Sequence, residues 1–459
     1  MLKRLSNISK ATLIALLYIC FKLYTTRKVD EIQHERISSQ SLNRRKKKRP
    51  SWEFITKKIS DMQFRRMFRM NRATFKLLCQ TITAAIGESE FKSENYIKSF
   101  LETEDIVFNR GVSMYHAHKL TSGGYIPGEV KLAITLRLLA GGSALDLAII
   151  FDINEKHCIR MFTKVLKKWI ILPNIGKIDI NSYINDDNAL QHVSQGFSKR
   201  SNGLLKGAIG AIDGWLIKIQ RPTFTRDGIT HSKSFFSRKG FYALNVQCVV
   251  DNEKRVLWAS YSNRGSSHDS PAFRSTNLYN ATLKKFKDKL YRNGFFILGD
   301  SAYAIESFIL PPYDNAKSKS PEDAFNFFHS SARITVECTF GELDRRWGIF
   351  WKPICYSLDN TCLIIEGAMH LHNFLVNERL KSNCRVSEDR VDSDLFHNER
   401  VDCGITSNPI LNDPIRPAGR PSSDEIECRR LGIELRDYLK DILYDHNMVR
   451  PSRSDYNQI

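Results

Sequence analysis

The spacing of apolar residues over the first 170 positions is typical of α-helices. Between residues 52 and 82 large apolar side chains recur every three or four positions, and Asn71 can cap a helix there, which predicts a helical hairpin with a basic outer face. Three further helices are predicted at residues 130–139, 144–151 and 155–170, separated by Gly141-Gly142 and by Asp152-Ile153-Asn154. This trihelical layout is typical of a helix-turn-helix, although plain packing units share it.

The pattern changes at Gly207, where strand-like segments begin. The segments GAIGAIDGWLIKIQRP, FYALNVQCVV, RVLWASYSN and FFILGD are short and mainly apolar, which predicts buried β-strands. Helical spacing returns at about residues 330–347 and 360–380. Residues 381–423 are polar and without period, which predicts a flexible linker before a last helix at residues 423–444.

Positive charge is concentrated near the N-terminus. The 459 residues carry a formal net charge of +19, and residues 43–72 hold twelve basic and two acidic residues. Such an excess favours a polyanionic partner, because each phosphate neutralised by Lys or Arg releases a counterion. The basic run that Pro50 closes is typical of a nuclear import signal or a nucleic-acid arm, with a solvated linker as the alternative; it comprises Arg44, Arg45, Lys46, Lys47, Lys48 and Arg49.

The composition and the missing motifs exclude several classes of protein. With 42% hydrophobic and 26% charged residues the chain is globular, not wholly disordered, collagen-like or multispan. The ten cysteines have no zinc-finger spacing, which favours reduced thiols in a nuclear or cytosolic protein. No P-loop, G-x-S-x-G or H-E-x-x-H motif occurs, so NTPase, serine hydrolase and zincin interpretations have no support.

An apolar run at residues 11–21 leaves the localisation open. It follows three basic residues, as in a signal peptide, but no clean cleavage site comes after it. Its eleven residues are fewer than the roughly 20 that span a bilayer. Secretion or membrane association, a buried or interfacial helix, and a misassigned gene start remain alternatives.

Three acidic residues stand in apolar surroundings and are candidates for chemistry. Asp213 lies inside GAIGAIDGWLIKI, Asp300 ends FFILGD, and Glu337 lies within ITVECTFGEL. A carboxylate among apolar neighbours must be neutralised, hydrogen-bonded or bound to a cation. Individually, a strand-end Asp caps a turn more often than not, and a lone helical Glu usually faces solvent. Two Asp on neighbouring strands and a helical Glu could together hold two divalent cations for in-line attack on a phosphodiester, and oxygen ligands favour Mg²⁺ or Mn²⁺ over Zn²⁺.

Several ordered motifs carry a resemblance to a known family. The strings AIDG, NRGSSHDS, ILGDSAY, HSSARITVECTFGELDRRW and HLHNFL resemble the DDE nuclease of PIF/Harbinger transposases and of the host proteins derived from them. Upstream, FRMNRATFKLLCQTI and the trihelical segment look like the N-terminal helical region of the family, and RRLGIELRDYLKDIL looks like its C-terminal helix. The resemblance covers roughly residues 64–450.

The resemblance implies a fold, a reaction and a division of the chain. The implied fold is α/β, an RNase H-like mixed sheet flanked by helices, with an all-helical, helix-turn-helix-like region before it. The implied catalytic and metal-binding triad falls on Asp213, Asp300 and Glu337, with Mg²⁺ or Mn²⁺ as cofactor and DNA as substrate. The expected parts are an N-terminal run and arm (1–50), a helical DNA-binding region (51–170), the nuclease domain (200–380), a linker (381–423) and a C-terminal helix (424–450). Glu342 and Asp344 depart from the family by placing negative charge on the Glu helix, where a DNA contact is weakened.

The sequence and the resemblance leave two hypotheses for the function. The main hypothesis is a metal-dependent endonuclease or transposase of the two-metal DDE type; the alternative is a non-catalytic DNA-binding or chromatin-associated protein that kept the fold. DNA binding is predicted to rest on residues 43–170, in a nuclear protein. A Myb-like partner that supplies sequence specificity is implied by the resemblance, and a homo-oligomer is left open. Asp269 is a further candidate ligand, with a loop cap as its alternative, and the remaining candidate DNA contacts are Lys156, Arg160, Arg345 and Arg346.

Overall fold

The computed structural model describes residues 49–86, 120–121, 126–201, 203, 205–222, 232–381, 422–446 and 448–450. The apolar run at 11–21, the side chains of the basic arm and the linker predicted after residue 381 lie outside the described residues. Within the described part, no helix is both long and apolar enough to cross a membrane.

The N-terminal part is helical, as its apolar spacing predicts. A short antiparallel ladder joins β1 (Arg49–Pro50) to β2 (Leu120–Thr121). The Asn71 side chain accepts a hydrogen bond from the Thr74 amide at 2.8 Å, which makes it an N-cap. The helices here are α1 (Trp52–Lys57), α2 (Asp61–Phe68), α3 (Arg72–Ile86), α4 (Gly128–Leu139), α5 (Ala144–Phe151) and α6 (Glu155–Ile170).

The connector before Gly207 contains two helices that the sequence interpretation did not assign. They are α7 (Ile180–Asn185) and α8 (Asp187–Arg200), each begun by an Asp whose side chain accepts hydrogen bonds from first-turn amides. Leu190, Val193 and Phe197 are buried at helical spacing, so α8 packs against the sheet that follows. Polar residues fill the positions between them, so the helical spacing of the apolar residues was not recognised in the sequence.

The central sheet has five strands and both strand orientations. Its spatial order is β5–β4–β3–β6–β7, with β3, β4 and β5 antiparallel and with β3, β6 and β7 parallel. This mixed sheet with flanking helices confirms the predicted RNase H-like α/β fold. The strands are β3 (Ala208–Lys218), β4 (Ala243–Val250), β5 (Val256–Arg264), β6 (Phe296–Leu298) and β7 (Ile309–Leu310).

Helices on the two faces of the sheet bury it. Between β5 and β6 lie α9 (Asp269–Arg274) and α10 (Lys284–Arg292), and after β7 come α11 (Pro321–Arg346), α12 (Leu358–Lys381) and α13 (Ser423–Asp445). Helix α11 begins nine residues before the predicted start, at Pro321 behind the capping residue Ser320. One hydrophobic cluster runs from Phe64 in α2 through the sheet to Leu443 in α13, so the N-terminal helices and the sheet share a core.

Candidate active site

Asp213 and Asp300 are neighbours because their strands are. Strand β3 lies parallel to β6 with Ala211 in register with Leu298. Asp213 and Asp300 each lie two residues beyond this registered pair, Asp213 in the middle of β3 and Asp300 just after the end of β6. The sequence prediction that the acids lie on adjacent strands agrees with this register, while their catalytic role stays a prediction.

The surroundings of these two carboxyls disfavour their charged forms. Burial, with the negative charge of Asp300 as a smaller cause, raises the pKa of Asp213 from 3.8 to about 6, against the opposing hydrogen bond from the Gly214 amide. Burial likewise raises the pKa of Asp300, whose side chain accepts a hydrogen bond from the Ala302 amide at 3.0 Å. Raised carboxyl pKa values of this origin occur at sites where a cation or a proton is exchanged.

Helix α11 presents Glu337 on the side of the sheet that carries Asp213. The helix is fixed on β3 by Trp215, whose ring stacks on that of Phe340 with centroids 5.4 Å apart and rings inclined by 16°. Phe350, after the helix, meets the same indole edge-on at 4.9 Å. These contacts set the position of Glu337, which is about half exposed, with 51% of its side chain accessible.

Arg333 stands between two of the three acids. Its Nη1 donates to Oδ2 of Asp213 at 3.4 Å, and its Nη2 donates to Oε1 of Glu337 one helical turn further along α11. Only 17% of the Arg333 side chain and 19% of that of Asp213 are exposed, so this ion pair is largely shielded from solvent, while the pair with Glu337 is partly open to it. The sequence places Arg333 one helical turn before Glu337 but does not indicate its contact with Asp213.

Asp269 is held near the site by a buried hydrogen-bond network. Its Oδ1 accepts from Nδ2 of Asn245 and from Nε2 of Gln247, each at 3.0 Å. Tyr303, three residues after Asp300, donates to Oε1 of Gln247 at 2.7 Å. Residues opposite each other in an antiparallel pair share a face, so Gln247, paired with Gly214, projects from the face opposite to Asp213.

Gly214 makes this arrangement possible. A Cβ atom on Gly214 would lie 2.1 Å from Oδ1 of Asp269 and 2.7 Å from Nε2 of Gln247. No side chain fits there while Asp269 keeps its amide partners. The negative charge of Asp269 contributes to the raised pKa of both Asp213 and Asp300.

The three predicted acids do not form a metal-ligand set in this arrangement. Across the described ranges, no three His, Cys, Asp or Glu side chains are placed so that they could hold one metal ion. The Asp213–Asp300 pair has the oxygen donors that a divalent cation needs, but Glu337 is engaged by Arg333. The residues therefore fit a cation at the Asp213–Asp300 pair and do not fit one held by all three acids.

The other candidate residues lie apart from these acids or outside the described side chains. Lys156 and Arg160 are exposed on α6, and Arg345 is exposed at the end of α11, as contacts to DNA require. Glu342, which the sequence interpretation placed near DNA, is instead mostly buried and paired with Lys254. Burial lowers the pKa of His372 to about 4, and its Nε2 lies 2.8 Å from the Lys254 carbonyl oxygen, so it packs as a neutral ring.

Asn245, Gln247 and Tyr303 are the residues that sequence reasoning missed. Asn245 and Gln247 stand two apart in the otherwise apolar strand ALNVQCVV, so both project from one face. Two fully buried amides on one face need partners, and this was the available signal for a polar cluster.

Part of the chain is similar to known proteins. Residues 212–373 match the family model of the DDE superfamily endonuclease, a span that contains all three acids and Asp269. The chain is also similar to a Protein ALP1-like of Arabidopsis thaliana, with 22% identity over 326 residues, 68% of this chain and 70% of the relative. The comparison with solved structures gives no significant match. The stretch 212–373 is therefore similar to DDE superfamily endonucleases.

Proposed function

We propose that this protein hydrolyses or transfers phosphodiester bonds of DNA with the help of a divalent cation, Mg²⁺ or Mn²⁺, bound at Asp213 and Asp300. One observation carries the proposal: the two carboxyls each lie two residues past the last registered pair of the adjacent parallel strands β3 and β6, buried enough that their pKa values are raised. A bound cation would relieve their mutual repulsion and stabilise charge on the reacting phosphate.

The roles of the individual residues follow from their positions. Asp213 and Asp300 bind the cation, and their placement on neighbouring strands fixes the spacing of their oxygens. Glu337, half exposed on α11, faces solvent and is placed to orient the attacking water or 3′-hydroxyl once it leaves Arg333. The two-metal form of the mechanism needs Glu337 as a ligand and therefore needs this rearrangement.

The testing experiment is cleavage of supercoiled DNA by the full chain in Mg²⁺ or Mn²⁺, with terminal-repeat DNA and a Myb-like partner supplied in parallel. We expect cleavage that a chelator stops, and a loss of at least about 100-fold in Asp300→Asn, because one anionic ligand to the cation is removed. DNA affinity without metal should hold or rise, since the change removes negative charge that faces phosphate. Cleavage of wild-type strength by Asp300→Asn would contradict the proposal.

A second candidate function is favoured by Arg333. A protein that kept the fold for DNA or chromatin binding would need no metal ion. In such a protein the Arg333 guanidinium would be sufficient to neutralise Asp213 and Glu337. In that case the wild type shows no metal-stimulated cleavage under any of the above conditions and still binds DNA.

We also propose that the protein is nuclear and that residues 43–170 supply most of the DNA affinity, since the basic arm and the exposed Lys156 and Arg160 lie there. Deleting residues 44–49 is expected to lower the nuclear fraction of a tagged full chain in cells and to flatten the salt dependence of DNA binding. Retention of both properties would make the arm a linker, and a membrane or vesicle signal would overturn the nuclear assignment.

A further inference from the structure

We propose that Arg333 is an internal counter-ion that competes with a divalent cation for Asp213 and Glu337, so that loading of the site requires its guanidinium to be displaced. This inference rests on the proposed function. Arg333 would then set how tightly the site holds metal, and the three-acid set would be complete only after displacement.

The geometry of Arg333 supports competition over simple proximity. Its two terminal nitrogens point to different acids: Nη1 to Oδ2 of Asp213 on the sheet, and Nη2 to Oε1 of Glu337 on α11. A guanidinium presents its donors in a fixed planar fork, so this pair of contacts holds the two carboxylates around one positive centre. A cation shared by Asp213 and Glu337 would have to occupy that same place.

Burial gives the competition its strength. The side chains of Arg333 and Asp213 are 17% and 19% exposed, so solvent screens their attraction only in part. Glu337, in contrast, is half exposed and can turn toward water when Arg333 leaves. The contact with Asp213 is long, at 3.4 Å, and is the weaker of the two. Displacement therefore removes both ion pairs of Arg333 and frees two carboxylates, those of Asp213 and Glu337, to join Asp300 around the cation.

A nearby arginine provides a matched control. Arg238 also contributes positive charge to this region, with Nη2 3.8 Å from Oδ2 of Asp269 and a lowering influence on the pKa of Asp300. It is 64% exposed, and among the described residues its ion pair is with Asp269, not with Asp213 or Glu337. Removing Arg238 changes the local charge by the same amount without opening the three-acid set.

The experiment measures Mn²⁺ affinity of the full chain without DNA, by titration calorimetry and by the paramagnetic signal of free Mn²⁺. Arg333→Gln is expected to bind Mn²⁺ at least about 10-fold more tightly than the wild type, a difference of about 1.4 kcal/mol. Arg238→Gln should gain much less. Arg333→Lys keeps the charge but not the fork, and it should fall between the wild type and Arg333→Gln.

A double substitution separates displacement from long-range charge. If Arg333 competes for Glu337, the gain from Arg333→Gln should shrink severalfold in a Glu337→Gln background, because the freed ligand is missing. An equal gain in both backgrounds, or equal gains at Arg238 and Arg333, would overturn the proposal. Melting temperatures recorded with and without Mn²⁺ show whether each variant folds, and Arg333→Gln should have the larger metal-induced rise.

The outcomes also distinguish this inference from the function on which it rests. Binding of Mn²⁺ that Asp213→Asn abolishes, without tightening in Arg333→Gln, would leave the metal site standing and refute the competition. Absence of Asp213-dependent Mn²⁺ binding in every variant would refute both.

Discussion

Asp213→Asn is expected to lower DNA cleavage by about 1000-fold and, in the same protein without metal, to raise the free energy of unfolding by about 1 to 2 kcal/mol at neutral pH. The first effect follows from the loss of an anionic ligand. The second follows because the pKa of Asp213 is raised to about 6 in the folded protein, so the folded state binds its proton more tightly than the unfolded chain.

The sign of this stability effect can be checked by pH. A carboxyl whose folded pKa is raised stabilises the fold when protonated, and this advantage is lost as pH rises from about 4 through about 6. Wild type and Asp213→Asn should therefore have similar stability near pH 4, while the variant becomes the more stable one above pH 6. Urea unfolding with a chelator present, followed across this range, measures the difference.

Asp251 supplies the matched control for Asp213. It is another buried aspartate, but its Oδ2 pairs with Nε of Arg255 at 2.6 Å and its Oδ1 accepts the amides of Glu253 and Arg255. Burial raises the pKa of Asp251 as well, but Asp251→Asn also leaves the Arg255 guanidinium without its carboxylate partner, whereas Arg333 keeps Glu337 when Asp213 is replaced. Stability should therefore fall in Asp251→Asn, and cleavage should decline only with it. If Asp213→Asn behaved in the same way, Asp213 would be a fold-supporting acid and the proposed site would lose its main ligand.

The strands that carry the site were predictable because each has a strong local pattern. Segments such as FYALNVQCVV are mainly apolar, and Asp213 and Asp300 stand out within or beside such segments. Strand β7 has only two residues, which is too short for a recognisable strand pattern in the sequence, and it is identified only from its pairing in the sheet. The adjacency of β3 and β6, which brings the acids together, is likewise a property of topology that a single sequence does not state.

Whether the candidate acids are paired with an arginine depends on distances that sequence spacing cannot give. The step of four residues from Arg333 to Glu337 places them on one face of a helix. Whether Arg333 also reaches Asp213, 120 residues earlier, depends on how α11 crosses β3, and this crossing is set by the packing of Trp215 against Phe340 and Phe350. A list of acids therefore predicted the candidates for metal binding but not the arginine between them.

The C-terminal helix contacts the segment after Asp300, which its sequence alone did not indicate. Helix α13 packs against the segment that follows Asp300: Cys428 Sγ lies 3.1 Å from Ser307 Oγ, and Nη1 of Arg436 donates to the Pro312 carbonyl at 3.2 Å. At the centre of this contact the backbone of Gly432 lies against that of Glu306, where an added Cβ would be 2.6 Å from the carbonyl carbon and oxygen. The helix thus supports the chain between Asp300 and β7.

Gly432→Ala is therefore expected to destabilise the protein by about 1 to 3 kcal/mol, the usual result of overpacking, and to lower metal-dependent cleavage beyond the fraction that unfolds. The excess loss would arise because Glu306 must shift, and its segment holds Asp300. Thermal unfolding together with cleavage rates below the melting range measures both effects, and DNA affinity should change little. The same substitution at Gly341, a helical glycine of α11 with no atom within 4 Å of the added Cβ, should cost nothing or stabilise by about 0.5 to 1 kcal/mol. Of the two glycines, only Gly432 lies against the backbone of another segment. Equal stability and equal cleavage in the two alanine variants would therefore show that α13 does not hold the Asp300 segment.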